Sequence, residues 1–120
     1  MEDKIEVGEY VRTDKGKIGK VVEIRLGFNK DLQLYQDIYI LDNGLWTILD
    51  YIVKHSKQLI DLIEVGDYVN GKLIHKIDRG SNYCYLYYGN CKTFVDYQIQ
   101  KILTKESYMA NCYKVGGEDE

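Results

Sequence analysis

The feature that most constrains this chain is that it repeats itself. IEVGEYV at 5–11 returns as IEVGDYV at 63–69 with one conservative change. Further on, IYILDNGLWTILDY (38–51) aligns without gaps on CYLYYGNCKTFVDY (84–97), matching Tyr39 with Tyr85, Thr47 with Thr93, Asp50 with Asp96 and Tyr51 with Tyr97. The difference in spacing is taken up at two places: DKGKIGK (14–20) shrinks to NGK (70–72), and LGFNKDLQLYQ (26–36) shrinks to GSN (80–82). Self-similarity on this scale means one supersecondary unit used twice. The expected division is 1–61 and 62–120.

Within a copy the pattern is that of short strands. VVEIRL (21–26) puts Val22, Ile24 and Leu26 on one side and Glu23 and Arg25 on the other, the period of two of a half-buried strand. IYIL, Asn43-Gly44 and LWTIL predict a hairpin with a type I′ turn. That register sets Leu41 opposite Trp46 and Tyr39 opposite Ile48 on one face, with Ile40 opposite Thr47 on the other. Gly89-Asn90 holds the matching place in the second copy, and Ser56 and Thr104 are predicted caps of single helical turns. Proline is absent, so turns fall to Gly, Asn and Asp. The expected fold is all-β with minor helical turns: two tandem small β-barrels packed through their aromatic faces.

IEVGEYVRTDKGKIGKVVEI (5–24) resembles a KOW motif, with Gly8, Val11, Lys15, Gly16, Gly19 and Val21 in the motif's places. Glu9 replaces the usual Asp, and the second copy keeps only IEVGDYV before Asn70-Gly71. The resemblance implies SH3-like barrels, as in ribosomal and transcription-elongation proteins, and a loop that touches RNA. The whole chain, especially 51–71 and 102–120, is also similar to small proteins of gut Firmicutes and their phages. That likeness implies a mobile-element accessory protein, and within that class an inhibitor of a host factor or defence system, such as an anti-CRISPR protein.

Composition narrows the classes of function. The 120 residues are 45% hydrophobic and 29% charged, an ordinary globular balance, and apolar runs of four or five residues fit no transmembrane helix. MEDKIEVGEYV lacks the basic start and apolar stretch of a signal peptide, so a cytoplasmic location is expected, that of the host if a phage encodes the chain. Nineteen acidic against 16 basic residues give a net charge of −3, the wrong sign for binding that relies mainly on phosphate charge. The cysteines, Cys84, Cys91 and Cys112, are odd in number without a C-x-x-C pair, and His55 and His75 are isolated. Reduced thiols are expected, with no metal site and no cofactor.

Catalysis is not expected, since no phosphate loop or nucleophile elbow is present. His75 aligns with Val22 and reads as a hydrogen-bonded core histidine, and Cys112 has no local partner that would lower its pKa. The repeated Asp50 and Asp96 read as acceptors for backbone N–H groups. Binding has more support. Tyrosine is over-used at 12 residues, against two Phe and one Trp, and aromatic side chains dominate interface hot spots. Trp46, Tyr87 and Tyr88 on the hairpins are candidate contacts, with Tyr88 beside the Gly89 turn expected to be exposed. The insertion found only in the first copy adds Phe28, Leu32, Leu34 and Tyr35. A protein partner is the preferred reading, and packing of two protomers through these faces would give a homodimer. The alternatives are nucleic acid, gripped by Arg12, Lys15, Lys17 and Lys20 of the KOW-like loop, and a small nucleotide stacked in a tyrosine-lined pocket.

Overall fold

The computed structural model describes residues 4–111, so Cys112 and the rest of 112–120 lie outside the described residues. The first copy contributes β1 (Tyr10–Thr13), β2 (Ile18–Asn29), β3 (Leu34–Leu41), β4 (Trp46–Thr47) and β5 (Ile52–Ser56). The second contributes β6 (Tyr68–Val69), β7 (Lys72–Leu73), β8 (Lys76–Arg79), β9 (Cys84–Gly89), β10 (Lys92–Phe94) and β11 (Ile102–Leu103). Single 3-10 turns occupy Leu49–Tyr51, Leu59–Leu62 and Asp96–Gln98, and a two-turn helix, α1 (Lys105–Asn111), closes the described chain. The protein is therefore all-β with minor helical turns. All strand pairs are antiparallel.

The two copies pair their strands in the same way. In the first, the sheet order is β4-β3-β2-β1-β5. In the second, β10-β9-β8 and β7-β6-β11 form two sheets, which give that same order once β7 and β8 stand for a broken β2. The repeated IEVG(E/D)YV segment explains itself at atomic level. Gly8 and Gly66 both have positive φ, at 100° and 103°, a conformation glycine adopts without steric cost. The Glu9 and Asp67 carboxylates accept the N–H of Glu6 and Glu64 respectively. The Gly8 N–H donates to Val21 O and the Gly66 N–H to Ile74 O, which fixes Val21 and Ile74 as equivalents.

That equivalence corrects two expectations. Val22 is the extra residue of a β-bulge between Val21 and Glu23, so Val21 is fully buried and Val22 faces solvent. A bulge inserts one unpaired residue and shifts the alternation. His75 stands at the same place, in the break between β7 and β8, and is exposed rather than a core histidine.

The Asn43-Gly44 hairpin is also one residue out of the expected register. The observed pairs are Tyr39 with Thr47 and Ile40 with Trp46, and the Leu41 N–H donates to Leu45 O across a three-residue loop. Only Gly44 of that loop has positive φ, whereas a type I′ turn needs two such residues. The side chains hold the longer loop: Asp42 accepts the Lys20 N–H, and Asn43 accepts from Leu45 N and donates to Ile18 O. A slip of one residue swaps faces, so Thr47 goes inward and Trp46 outward. The I′ geometry appears instead at Asn70-Gly71, with φ of 53° and 82°, between β6 and β7.

Each copy has its own apolar core. Ile5, Val11, Val21, Tyr39 and Leu41 form the first, and Ile60, Ile63, Val69, Ile74 and Leu86 the second. At about 1.5–3 kcal/mol for each fully buried side chain, such clusters are the main source of stability. Between the copies the contact is charged, which corrects the expected packing through aromatic faces. Arg12 is completely buried. Its guanidinium donates to both carboxylate oxygens of Asp67, at 2.6 and 2.9 Å, to Leu62 O at 2.8 Å and to Glu106 at 2.6 Å. Burial alone would lower its pKa, but the hydrogen bonds to Asp67 and Glu106 hold it above the ordinary value. Arg12 Nε is the one buried side-chain polar atom without a partner among the described residues.

Of the two predicted caps, Thr104 caps its helix, whereas the N-cap of Leu59–Leu62 is Gln58 without a side-chain bond, and Ser56 lies two residues before it. Thr104 Oγ1 accepts the Ser107 N–H at the start of α1 and donates to Gly16 O. Ser56 Oγ accepts the Gln58 N–H just before Leu59–Leu62 and donates to Asp61. Asp96 accepts the Ile60 N–H, tying the turn before the second copy to the 3-10 turn that follows β10.

Candidate protein-binding surface

The insertion makes β2 and β3 run past the core as a two-stranded arm. Ladder pairs continue through Arg25–Ile38, Leu26–Asp37 and Phe28–Tyr35 to Asn29–Leu34. Because side chains alternate, Ile24, Leu26 and Phe28 share a face with Tyr39, Asp37 and Tyr35. At the base of the arm that face is core, through Ile24 and buried Tyr39. Toward the tip nothing among the described residues covers it: Phe28 is 49% and Tyr35 66% exposed, and Leu26, Leu32 and Leu34 are exposed as well. The Phe28 and Tyr35 rings meet edge to face, with centroids 5.0 Å apart. The arm is an extended strand pair whose predicted contact residues stay in solvent.

The opposite face carries Ile38, Ile40 and Trp46. Ile38 lies across Gly27, where any Cβ would collide with it. Trp46, 64% exposed, turns toward a cleft of about 210 Å³ shared with Leu41, Leu45, Thr47 and Tyr51. Lys15 and Lys17 stand on the other rim of this cleft beside Thr13 and Asp14. Two sets of residues singled out separately in the sequence are thus brought together. Lys20 is elsewhere, its ammonium 5.6 Å from the centre of the Tyr10 ring.

Two other candidates are corrected. Arg12 cannot reach a ligand, because it is the buried ion of the junction between the copies. Tyr88 lies on the core side of β9, stacked on Phe94 at 4.3 Å and packed against the second cluster. Strand alternation explains this: Leu86 is core, so Tyr88 two residues on faces the same way. Tyr87 points outward beneath Lys76, whose Nζ is 5.2 Å from the ring centre. Leu26 and Tyr51 were missed in the sequence, the first because alternation assigned it to a buried face. The signal for it was present: the second copy has no strand of matching length to cover that face.

The loop that resembles a KOW motif is partly occupied from within. Gly16 is buried against α1, and a Cβ there would run into Thr104 and Glu106. His55, the other isolated histidine, contacts Glu9 through Nδ1 at 2.6 Å. No helix among the described residues is long and apolar enough to cross a membrane. No family model matches the chain, no curated protein matches it, and no solved structure matches it.

Proposed function

We propose that this protein is a non-enzymatic binding module that engages another protein through the arm of its first copy, with the Trp46 cleft as a flanking contact. One observation carries the reading: the core face of β2 and β3 continues beyond the core as a largely apolar surface, with Leu26, Phe28 and Tyr35 in solvent around the single carboxylate of Asp37. Apolar patches that extend a core face beyond any covering element are characteristic of interaction sites. The repeated pairing order supports assigning both copies to the SH3-like class, in which the second copy is the plain scaffold and the first bears the insertion. The likeness to phage proteins supports a partner in the host, a defence component or another host factor, inhibited by occupation rather than by chemistry.

The KOW-like reading predicts RNA binding instead, and it loses support where Arg12 is buried and Gly16 lies beneath α1. Titration of a labelled single-stranded RNA at physiological salt decides between the two. The proposal expects no saturable binding at micromolar protein. Micromolar affinity that weakens when Lys15, Lys17 and Lys20 are changed together to Gln, with a salt slope smaller by up to about 0.7 per lost phosphate contact, would overturn it.

A further inference from the structure

A second cleft, larger than the one beside Trp46, lies away from the arm and is lined mainly by the second copy. It encloses about 700 Å³. Tyr83 and Tyr85 form one wall, their rings 5.5 Å apart and tilted by 32°. Tyr97, next to Asp96 at the start of a 3-10 turn, lines it too and is 87% exposed. Asp61 and Asp96 add carboxylates. Both are positioned: Asp61 accepts from Ser56 Oγ at 2.6 Å, and Asp96 Oδ1 accepts the Ile60 N–H at 2.9 Å. An ionised carboxylate has about four acceptor positions, so capacity for a donor is left on each.

Arg79 is the nearby cation, and it is already engaged. Its guanidinium reaches Asp61 Oδ1 at 3.3 Å and the carbonyl oxygens of Asp61 and Ile63 at 3.4 and 3.1 Å. The field in the cleft is therefore negative. On its wall, burial pushes the pKa of the Cys84 thiol up, with Arg79 opposing and Asp61, Asp78 and Asp96 adding to the rise.

We propose that this tyrosine-walled cleft binds a basic peptide segment, holding an arginine or lysine side chain against the ring faces and the carboxylates of Asp61 and Asp96. Cations are attracted to the faces of aromatic rings, and carboxylates give charge-assisted hydrogen bonds to guanidinium and ammonium groups. The volume is in the range that holds a ligand of many atoms rather than a single ion. A nucleotide would gain the same stacking but would bring its phosphate toward two carboxylates, and no Lys or Arg is among the described residues that line the cleft. The site uses none of the arm residues, so it stands or falls independently of the proposed partner surface.

Calorimetric titration of the full chain tests it with four probes: the peptide Gly-Arg-Gly-Arg-Gly, its Glu counterpart, free arginine and AMP. The arginine peptide is expected to bind with a Kd below about 1 mM, more weakly as salt rises, and more tightly than the other three. Tyr97→Ala should reduce that affinity by about 3- to 30-fold. Because Tyr97 is almost wholly in solvent, this variant leaves the core intact, and Asp96→Asn provides a second reading with the Ile60 acceptor kept. No binding of the arginine peptide at millimolar concentration, equal binding of free arginine, tighter binding of AMP, or indifference to Tyr97→Ala would each overturn the proposal.

Discussion

Arg12 is the residue on which the joining of the two copies turns. It is fully buried, salt-bridged to Asp67 and Glu106, and hydrogen-bonded to the backbone of the linker segment at Leu62. Removing one partner of such a pair leaves an uncompensated buried charge, which costs about 3–5 kcal/mol. Urea unfolding of Arg12→Ala should show a loss of that size, whereas Lys15→Ala, three residues on in the exposed turn after β1, should stay within about 0.5 kcal/mol. Tyr88 and Trp46 give a matching contrast among the aromatics. Tyr88→Ala should destabilise by about 2–3 kcal/mol through lost packing on Phe94 and the second core. Trp46→Ala, on an exposed strand end, should cost less than about 1 kcal/mol. The role of Arg12 was not legible in the sequence, because its partners are 50 or more residues away and a lone Arg in a lysine-rich loop reads as surface charge.

At the scale of the element, the arm and the turns show what periodicity conveys. The repeat itself was legible, because it prescribes the same glycine turn, the same carboxylate cap and the same pairing order twice. The faces were less so. Alternation is read relative to a starting residue, and both the Val22 bulge and the Asp42–Gly44 loop move that start by one. For the candidate site, alternation could place Phe28 and Tyr35 on the chain but could not say that the core ends at Ile24 and Tyr39. The second copy closes the same connection through the short loop after β8, so the first copy is expected to fold without the arm. Replacing residues 27–35 with Gly-Ser-Asn should change the unfolding free energy by no more than about 1 kcal/mol, because shortening a loop of this size alters closure entropy only slightly. A larger loss, measured by urea denaturation followed by circular dichroism, would mean that the arm's apolar face is packed as part of the fold.

The whole molecule is more extended than its length requires. Its radius of gyration is 16.3 Å, against about 13–14 Å for a compact domain of this size, as two separate cores and a projecting arm demand. What joins the copies also sets the response to acid. Glu64 contacts Lys105 at 2.8 Å, Lys54 at 3.1 Å and Arg12 at 3.8 Å. Partial burial would raise its pKa, yet the hydrogen bonds from Lys105 and Lys54 bring it down from 4.5 to about 2. A carboxylate with a depressed folded-state pKa contributes stability above its unfolded value and loses it as pH falls through the folded value. Between pH 4.5 and 2 the protein should therefore lose about 1–3 kcal/mol through Glu64, less than the full linkage value because about a quarter of the side chain meets water. Glu64→Gln should be less stable at pH 7 and flatter across that window, as read from urea midpoints at each pH. A parallel pH slope in the two proteins would remove Glu64 from this role.

The central claim is that the arm of the first copy binds a protein. Quantitative affinity capture from nuclease-treated cell lysate tests it. It compares the native chain, the Phe28→Ser/Tyr35→Ser double variant and the Lys15→Gln/Lys17→Gln/Lys20→Gln triple variant, with all three shown to be folded. One protein should be enriched by the native chain and by the lysine variant, and lost at least tenfold from the double variant. Equal capture by the native and double-variant chains, or capture that depends on the lysines and vanishes with nuclease, would contradict it.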